Sequence, residues 1–292
     1  MILYLYCIII EVNNQGVWVK KMDYRIENAD FDIKQTFLCG QCFRWAQQED
    51  GSFSGIAMGR QITLTQENGA VVLHNVNEAD IPLWESYFDL GTDYSALKAR
   101  FSEDETLREA CRCSSGIRIL RQEPFETLIS FIISQNNNIP RIAGIIGRLC
   151  EAFGEKLEGG EGFSFPTAER LRGITPDDLA PLRAGFRARY ICDAVEKINS
   201  GEVDFALIEA LPLEQARERL KAIVGVGDKV ADCVLLFGFH KTDAFPKDVW
   251  VKRLMAQFYP EGLPECTKGF EGIAQQYLFD YVRNNNGLAL NS

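Results

Sequence analysis

The sequence predicts an α+β fold, with an N-terminal antiparallel β-sheet domain followed by a mainly helical domain. Three observations predict it. Residues 40–76 hold short runs of partial polar–apolar alternation between turn signals. After residue 80 apolar residues recur at three- and four-residue intervals. Near the far end, "VGVGDKVADC" (224–233) places a tight Gly-x-Gly turn between two such helical patterns.

The strand runs are "CFRWAQ", "FSGIAM", "QITLTQ" and "AVVLHN", separated by "EDGS", "MGR" and "ENGA". Short alternating runs joined by Gly/Asn/Asp turns read as an antiparallel meander. Its beginning is expected slightly earlier, around "YRIENADFDIKQTF". The helical runs include "EPFETLISFIISQ", "IPRIAGIIGRLCEAF", "ARYICDAVEKIN", "LEQARERLKAIV", "DKVADCVLLFGF", "DVWVKRLMAQFY" and "FEGIAQQYLFDYV". "GEKLEGGEGFSFP" reads as a flexible loop between two of them. The expected division is a leader at 1–21, a sheet domain at 22–115 and a helical domain at 116–292, with a helix–hairpin–helix at 213–239. The leader reads as disordered or as a misassigned start, with Met22 as the alternative start. Its "MILYLYCIII" is apolar but too short to span a bilayer, and it lacks the basic n-region of a secretory signal. No membrane partner and a cytoplasmic location are expected.

Nine cysteines at irregular spacing argue against a disulfide framework. "CGQC" (39–42) has no second pair at zinc-ribbon distance, and only Cys266 follows Cys233, too few for an iron–sulfur cluster. No metal and no organic cofactor are expected. The net charge of −10 argues against a nucleic-acid partner at first sight. From Arg112 to Leu254, however, 20 basic residues balance 20 acidic ones, so the excess acid lies outside that stretch.

The glycines Gly225 and Gly227 permit backbone conformations closed to other residues. Together with the following helix N-terminus they make an anion site suited to a phosphate. Lys229 sits in the first turn of that helix, the wrong end for a cation. A neutral amine is favoured there, and a neutral amine is a nucleophile. Its bland alternative is an exposed charge that bonds phosphate. Cys233 falls one turn along on the same face and would line the same pocket. Asp248 in "FPKDVWVKRLM" is placed either as a simple helix cap or as a carboxylate stabilising a positively charged, sugar-like transition state.

"GVGDKVADC" followed by "PKDV" resembles the helix–hairpin–helix DNA glycosylase superfamily. With "GQCFRW", "FIISQNNNIPRI", "AGFRARYI" and "AQQYLF" in this order, the chain is most similar to the 8-oxoguanine DNA glycosylase/AP lyase family of the Ogg type, over about residues 31–283. The helical domain is then expected to be a helix–hairpin–helix glycosylase domain. The resemblance implies that Lys229 attacks C1′ of the damaged nucleoside to form a Schiff base, assisted by Asp248. It implies that the Gly40 carbonyl accepts from the N7–H that 8-oxoguanine has and guanine lacks. Cys233 and Phe279 would sandwich the flipped base, and Gln275 would read its Watson–Crick edge. Asn136, with Asn137 beside it, would fill the gap left in the duplex. Arg141 and Arg187 would bond the orphaned cytosine, and Phe186 would wedge beside it. Trp250 would lie at a backbone phosphate. The implied partner is double-stranded DNA containing 8-oxoguanine, met by a monomer.

Departures from the family pattern are Phe186 in place of tyrosine, Trp250 in place of histidine, and Gln135 and Cys42 in place of serines. Two rival functions are a monofunctional alkylpurine glycosylase, against which Lys229 and Gly40 argue, and a non-catalytic DNA-binding hairpin, against which the pairing of Lys229 with Asp248 argues.

Overall fold

The computed structural model describes residues 9–12, 18–27, 30–158 and 160–284. Six strands, β1 (Ile9–Val12), β2 (Trp18–Glu27), β3 (Trp45–Gln47), β4 (Phe53–Ala57), β5 (Arg60–Glu67) and β6 (Ala70–Asn77), form one antiparallel sheet of order β1-β2-β6-β5-β4-β3. Strands β3 to β6 are the expected meander. Two-residue turns close its last two hairpins. Met58 and Gly59 carry positive φ between β4 and β5, as do Asn68 and Gly69 between β5 and β6, which matches the right-handed twist of the strands. Phe53, Ala57, Ile62 and Leu64 point inward from alternate positions.

Two expectations near the start are corrected. Residues 9–12 and 18–21 are strand rather than disordered leader, because β2 pairs with β6 (Lys21 opposite Asn77) and β1 pairs with β2. Residues 1–8 and 13–17 lie outside the described residues. The segment "DIKQTF" is not strand but helix α1 (Ile33–Leu38), started by Asp32, whose side chain accepts from Gln35 N at 2.8 Å.

Eleven further α-helices follow among the described residues: α2 (Ile81–Tyr87), α3 (Tyr94–Phe101), α4 (Glu105–Cys113), α5 (Pro124–Ser134), α6 (Ile139–Phe153), α7 (Arg187–Ser200), α8 (Phe205–Ala210), α9 (Leu213–Lys221), α10 (Asp228–Gly238), α11 (Val249–Phe258) and α12 (Glu271–Asn284). The hairpin α9–turn–α10 falls where the sequence put it. Two cores result. One lies under the sheet, around Phe37, Trp45, Phe53 and Trp84. The other is built by the helices, with the side chains of α5 and α10 at its centre. Tyr94, Leu97 and Phe101 of α3 and Leu107, Ala110 and Cys111 of α4 belong to the helical core. Helices α3 and α4 thus pack with the helical core although they precede residue 116, burying their apolar stripes against α12 and its neighbours. None of the described helices is long and apolar enough to cross a membrane.

Arg118 rivets the two cores. It is fully buried, and its guanidinium donates to the carbonyls of Phe88, Asp30, Asp89 and Thr92 while lying 4.2 Å from the centre of the Tyr94 ring. Burial of a cation is tolerable when each donor finds an acceptor.

Candidate active site

A cavity of about 980 Å³ opens between the hairpin, the loop after α1, and helix α12. Its walls include Lys229, Asp248, Gly40, Cys233, Gln275 and Phe279, so residues far apart in the chain meet here. Asn137 and Trp250 line it as well.

Gly227 precedes α10 in extended backbone, and Asp228 supplies the acid that a helix start favours, paired with Lys221 at 2.9 Å. Lys229 is half-buried, with Nζ 5.0 Å from the centre of the Phe131 ring. That ring stacks on Phe237 (5.5 Å) and meets Phe43 edge-on (5.7 Å), which gives the amine an aromatic floor. Lys229 and Cys233 lie one helical turn apart on α10, and both line the cavity. Burial pushes the Cys233 thiol up to about 11, a shift that the Lys229 charge only partly offsets. The thiol therefore stays protonated at neutral pH and offers an apolar wall, not a rival nucleophile.

Asp248 is a helix cap that also lines the cavity. It caps α11 through Oδ1, which accepts from Val251 N at 2.7 Å. The cap fixes the carboxylate against the start of a helix, where negative charge is favoured.

Gly40 holds φ +89°, a conformation that needs glycine, and open space surrounds the position a Cβ would take. The next residue, Gln41, anchors this loop. It is fully buried. Its Nε2 donates to the carbonyls of Thr36 (2.9 Å) and Arg118 (2.8 Å), its Oε1 accepts from Leu120 N (2.9 Å), and its carbonyl accepts from Gln122 Nε2 (2.8 Å). Cys39 and Cys42 are buried thiols bonded to the carbonyls of Thr36 and Phe37. Among the described residues no group of three or more His, Cys, Asp or Glu side chains could hold a metal.

The remaining candidates sit outside the cavity, in a second cluster. Asn136 is exposed with φ +48°, a left-handed conformation that asparagine tolerates. Arg141 is exposed, while Arg187 is buried beneath the same loop. Arg187 donates to the carbonyls of Gln135, Ala184 and Asn136, so it braces the asparagine loop, and burial together with the Arg141 charge lowers its proton affinity. Phe186 is 43% exposed, which excludes a core role, and packs between the Arg187 guanidinium (4.5 Å) and the Tyr190 ring (5.7 Å). Tyr190 in turn lies on Gly225, where any Cβ would come within 2.3 Å of its ring. The hairpin turn and the exposed phenylalanine are thus linked through one tyrosine. Sequence reasoning missed Gln41, Phe131 and Gln276, which also lines the cavity. Gln41 lay inside the quoted "GQCFRW" motif. The aromatic floor had no sequence signal beyond ordinary helix periodicity.

Two family models match the chain in succession. "8-oxoguanine DNA glycosylase, N-terminal domain" covers residues 23–128, and "HhH-GPD superfamily base excision DNA repair protein" covers residues 129–264. The "Probable N-glycosylase/DNA lyase" of Methanothermobacter thermautotrophicus is 33% identical over 89% of this chain and 96% of its own length. The chain belongs to the 8-oxoguanine DNA glycosylase family. The N-glycosylase/DNA lyase of Saccharomyces cerevisiae is a further relative, 32% identical over 80% of this chain and 70% of its own. Among solved structures, the 8-oxoguanine glycosylase/lyase of Clostridium acetobutylicum, in complex with double-stranded DNA containing cytosine opposite 8-oxoguanine, superposes with a TM-score of 0.84 at 39% identity, covering 96% of this chain and 98% of that one. This glycosylase therefore has the family's α+β architecture.

Proposed function

We propose that the enzyme flips 8-oxoguanine out of a duplex in which it faces cytosine, cleaves the N-glycosidic bond and nicks the strand. The observation that supports this best is the convergence of Lys229, Asp248, Gly40 and Gln275 on one cavity. The base enters between Cys233 and Phe279, with the Gly40 carbonyl facing N7–H. Guanine presents a lone pair at N7, which that carbonyl repels. Lys229 Nζ bonds to C1′ as the glycosidic bond breaks, and the base departs with the bonding electrons and takes up a proton. Asp248 stabilises the positive charge that develops on the sugar. The lysine adduct opens to an iminium, and loss of a C2′ proton expels the 3′ phosphate. Outside the cavity, the asparagine loop braced by Arg187 fills the vacated stack, Arg141 meets the cytosine, and the hairpin amides hold a phosphate. All of these groups come from one chain, which suits action as a monomer.

Borohydride trapping tests the proposal. Incubation with a duplex carrying 8-oxoguanine opposite cytosine should yield a covalent protein–DNA adduct, and undamaged duplex should not. A protein that releases the base without ever being trapped would be a monofunctional glycosylase. One that binds and releases nothing would be a DNA-binding module.

A further inference from the structure

Among the described residues that line the cavity, only Lys229, Asp248 and Arg283 are charged, and Arg283 has no role so far. It stands exposed in the last turn of α12, one turn beyond Phe279 and on the same face. Its Nη1 reaches the Leu38 carbonyl, just before the Cys39 and Gly40 wall, over a marginal 3.5 Å. Among the described residues the guanidinium makes no ion pair. The acid one turn before it, Asp280, is buried and accepts from Ser114 Oγ at 2.7 Å.

We infer, on the glycosylase reading above, that Arg283 is a phosphate-binding residue of the cavity mouth, which exchanges the Leu38 carbonyl for one of the two phosphates that flank the flipped nucleotide. A nucleotide cannot enter the cavity without drawing both of its phosphates to the mouth. One has a place at the hairpin amides. The other finds no partner among the residues already assigned. Asp248 repels it, Trp250 carries no charge, and Lys229 attacks C1′ only as a neutral amine. The remaining cation is Arg283, on the helix that faces the hairpin across the cavity. A guanidinium suits a phosphodiester because its planar fork donates to two oxygens at once. The exchange favours the phosphate, since a charge-assisted bond is roughly twice as strong as a neutral one and the Leu38 contact is long. In a chain of net charge −10 a cation at the mouth also offsets the repulsion that DNA meets at a distance.

The test follows single-turnover excision of 8-oxoguanine opposite cytosine as enzyme concentration is varied, which separates half-saturation from the maximal rate. Arg283→Gln should raise the half-saturating concentration about tenfold while the maximal rate stays within about threefold, and Arg283→Lys should recover most of the loss. The slope of log half-saturation against log salt should become shallower by about one, the counterion of a single phosphate. Duplexes with an uncharged methylphosphonate at either flanking position identify the partner. One of the two should weaken the unmodified enzyme about tenfold and the Arg283→Gln variant by less than about twofold. Were Arg283 only a strut on the Leu38 carbonyl, the salt slope would not change, and both methylphosphonates would weaken the variant as much as the unmodified enzyme. Either result overturns the inference. Failure of the unmodified protein to excise 8-oxoguanine overturns it together with the glycosylase reading.

Discussion

The proposed chemistry rests on two side chains of the cavity, and each can be removed separately. Lys229→Gln keeps a polar group above the Phe131 ring but has no nucleophilic amine. Borohydride-trapped product and strand nicking should vanish while affinity for damaged duplex persists, and any appreciable adduct from the variant would refute the role. Asp248 has a structural duty that must be separated from its chemical one. Asparagine can still accept from Val251 N, so Asp248→Asn should melt close to the unmodified protein while single-turnover excision slows by on the order of 10²-fold. Asp248→Ala should show the same kinetic defect and in addition lose about 1 kcal/mol in urea unfolding. Equal stability of the two variants would mean that the cap contributes nothing, and near-normal excision by the asparagine variant would mean that the cap is all Asp248 does.

The hairpin and the asparagine loop are coupled elements, and their joint is Tyr190 on Gly225. Gly225→Ala places a Cβ on that ring and forces alanine to φ +84°, so it should cost roughly 1–3 kcal/mol in urea unfolding and weaken duplex binding. An alanine variant of unchanged stability and affinity would show that the turn is free to rearrange. Across the joint, Arg141 and Arg187 were paired by the sequence as readers of cytosine, yet only Arg141 is exposed while Arg187 holds loop carbonyls. The enzyme should excise 8-oxoguanine opposite cytosine about ten- to hundredfold faster than opposite adenine. Arg141→Ala should relax that preference more than Phe186→Ala, because the ring touches no hydrogen-bonding edge. Equal rates opposite the two bases in the unmodified enzyme would remove Arg141 as the reader. The helices, the hairpin and the cavity residues were legible because periodicity and glycine spacing are local signals and the motifs stood in a known order. The bracing role of Arg187 was not, since it depends on which carbonyls happen to lie beneath it. The first two strands were hidden for a similar reason: their partner β6 is far away in sequence, and a leader of uniform apolar character shows no alternation.

At the scale of the whole molecule, sheet and helices are held together by buried polar groups as well as by apolar contact. Arg44, just before β3, pairs with Glu126 of α5 at 3.2 Å, with both side chains largely out of water. Burial lifts the Glu126 carboxyl from its ordinary 4.5 to about 7, with the Arg44 charge opposing the shift. Between those values the folded chain holds a proton that the unfolded chain has released. The contribution of Glu126 to stability is therefore greatest at low pH and declines as pH rises through that window, by at most about 1.4 kcal/mol per pH unit. Glu126→Gln should flatten the fall in urea-unfolding free energy between about pH 5 and 7, and superimposable profiles would refute the assignment. Helices α3 and α4 follow the sheet in the chain but pack with the helical core around α12, a long-range pairing that local periodicity does not reveal. The position of α12 has one more consequence. As the chain leaves the ribosome, Lys229 and Asp248 emerge before Gln275 and Phe279. Yet α12 also closes the core on which the hairpin stands, through Ile273, Ala274, Tyr277 and Leu278. Until α12 is made, the core under the hairpin is incomplete, so the side chains that line the cavity take their places together, only once the whole chain is present.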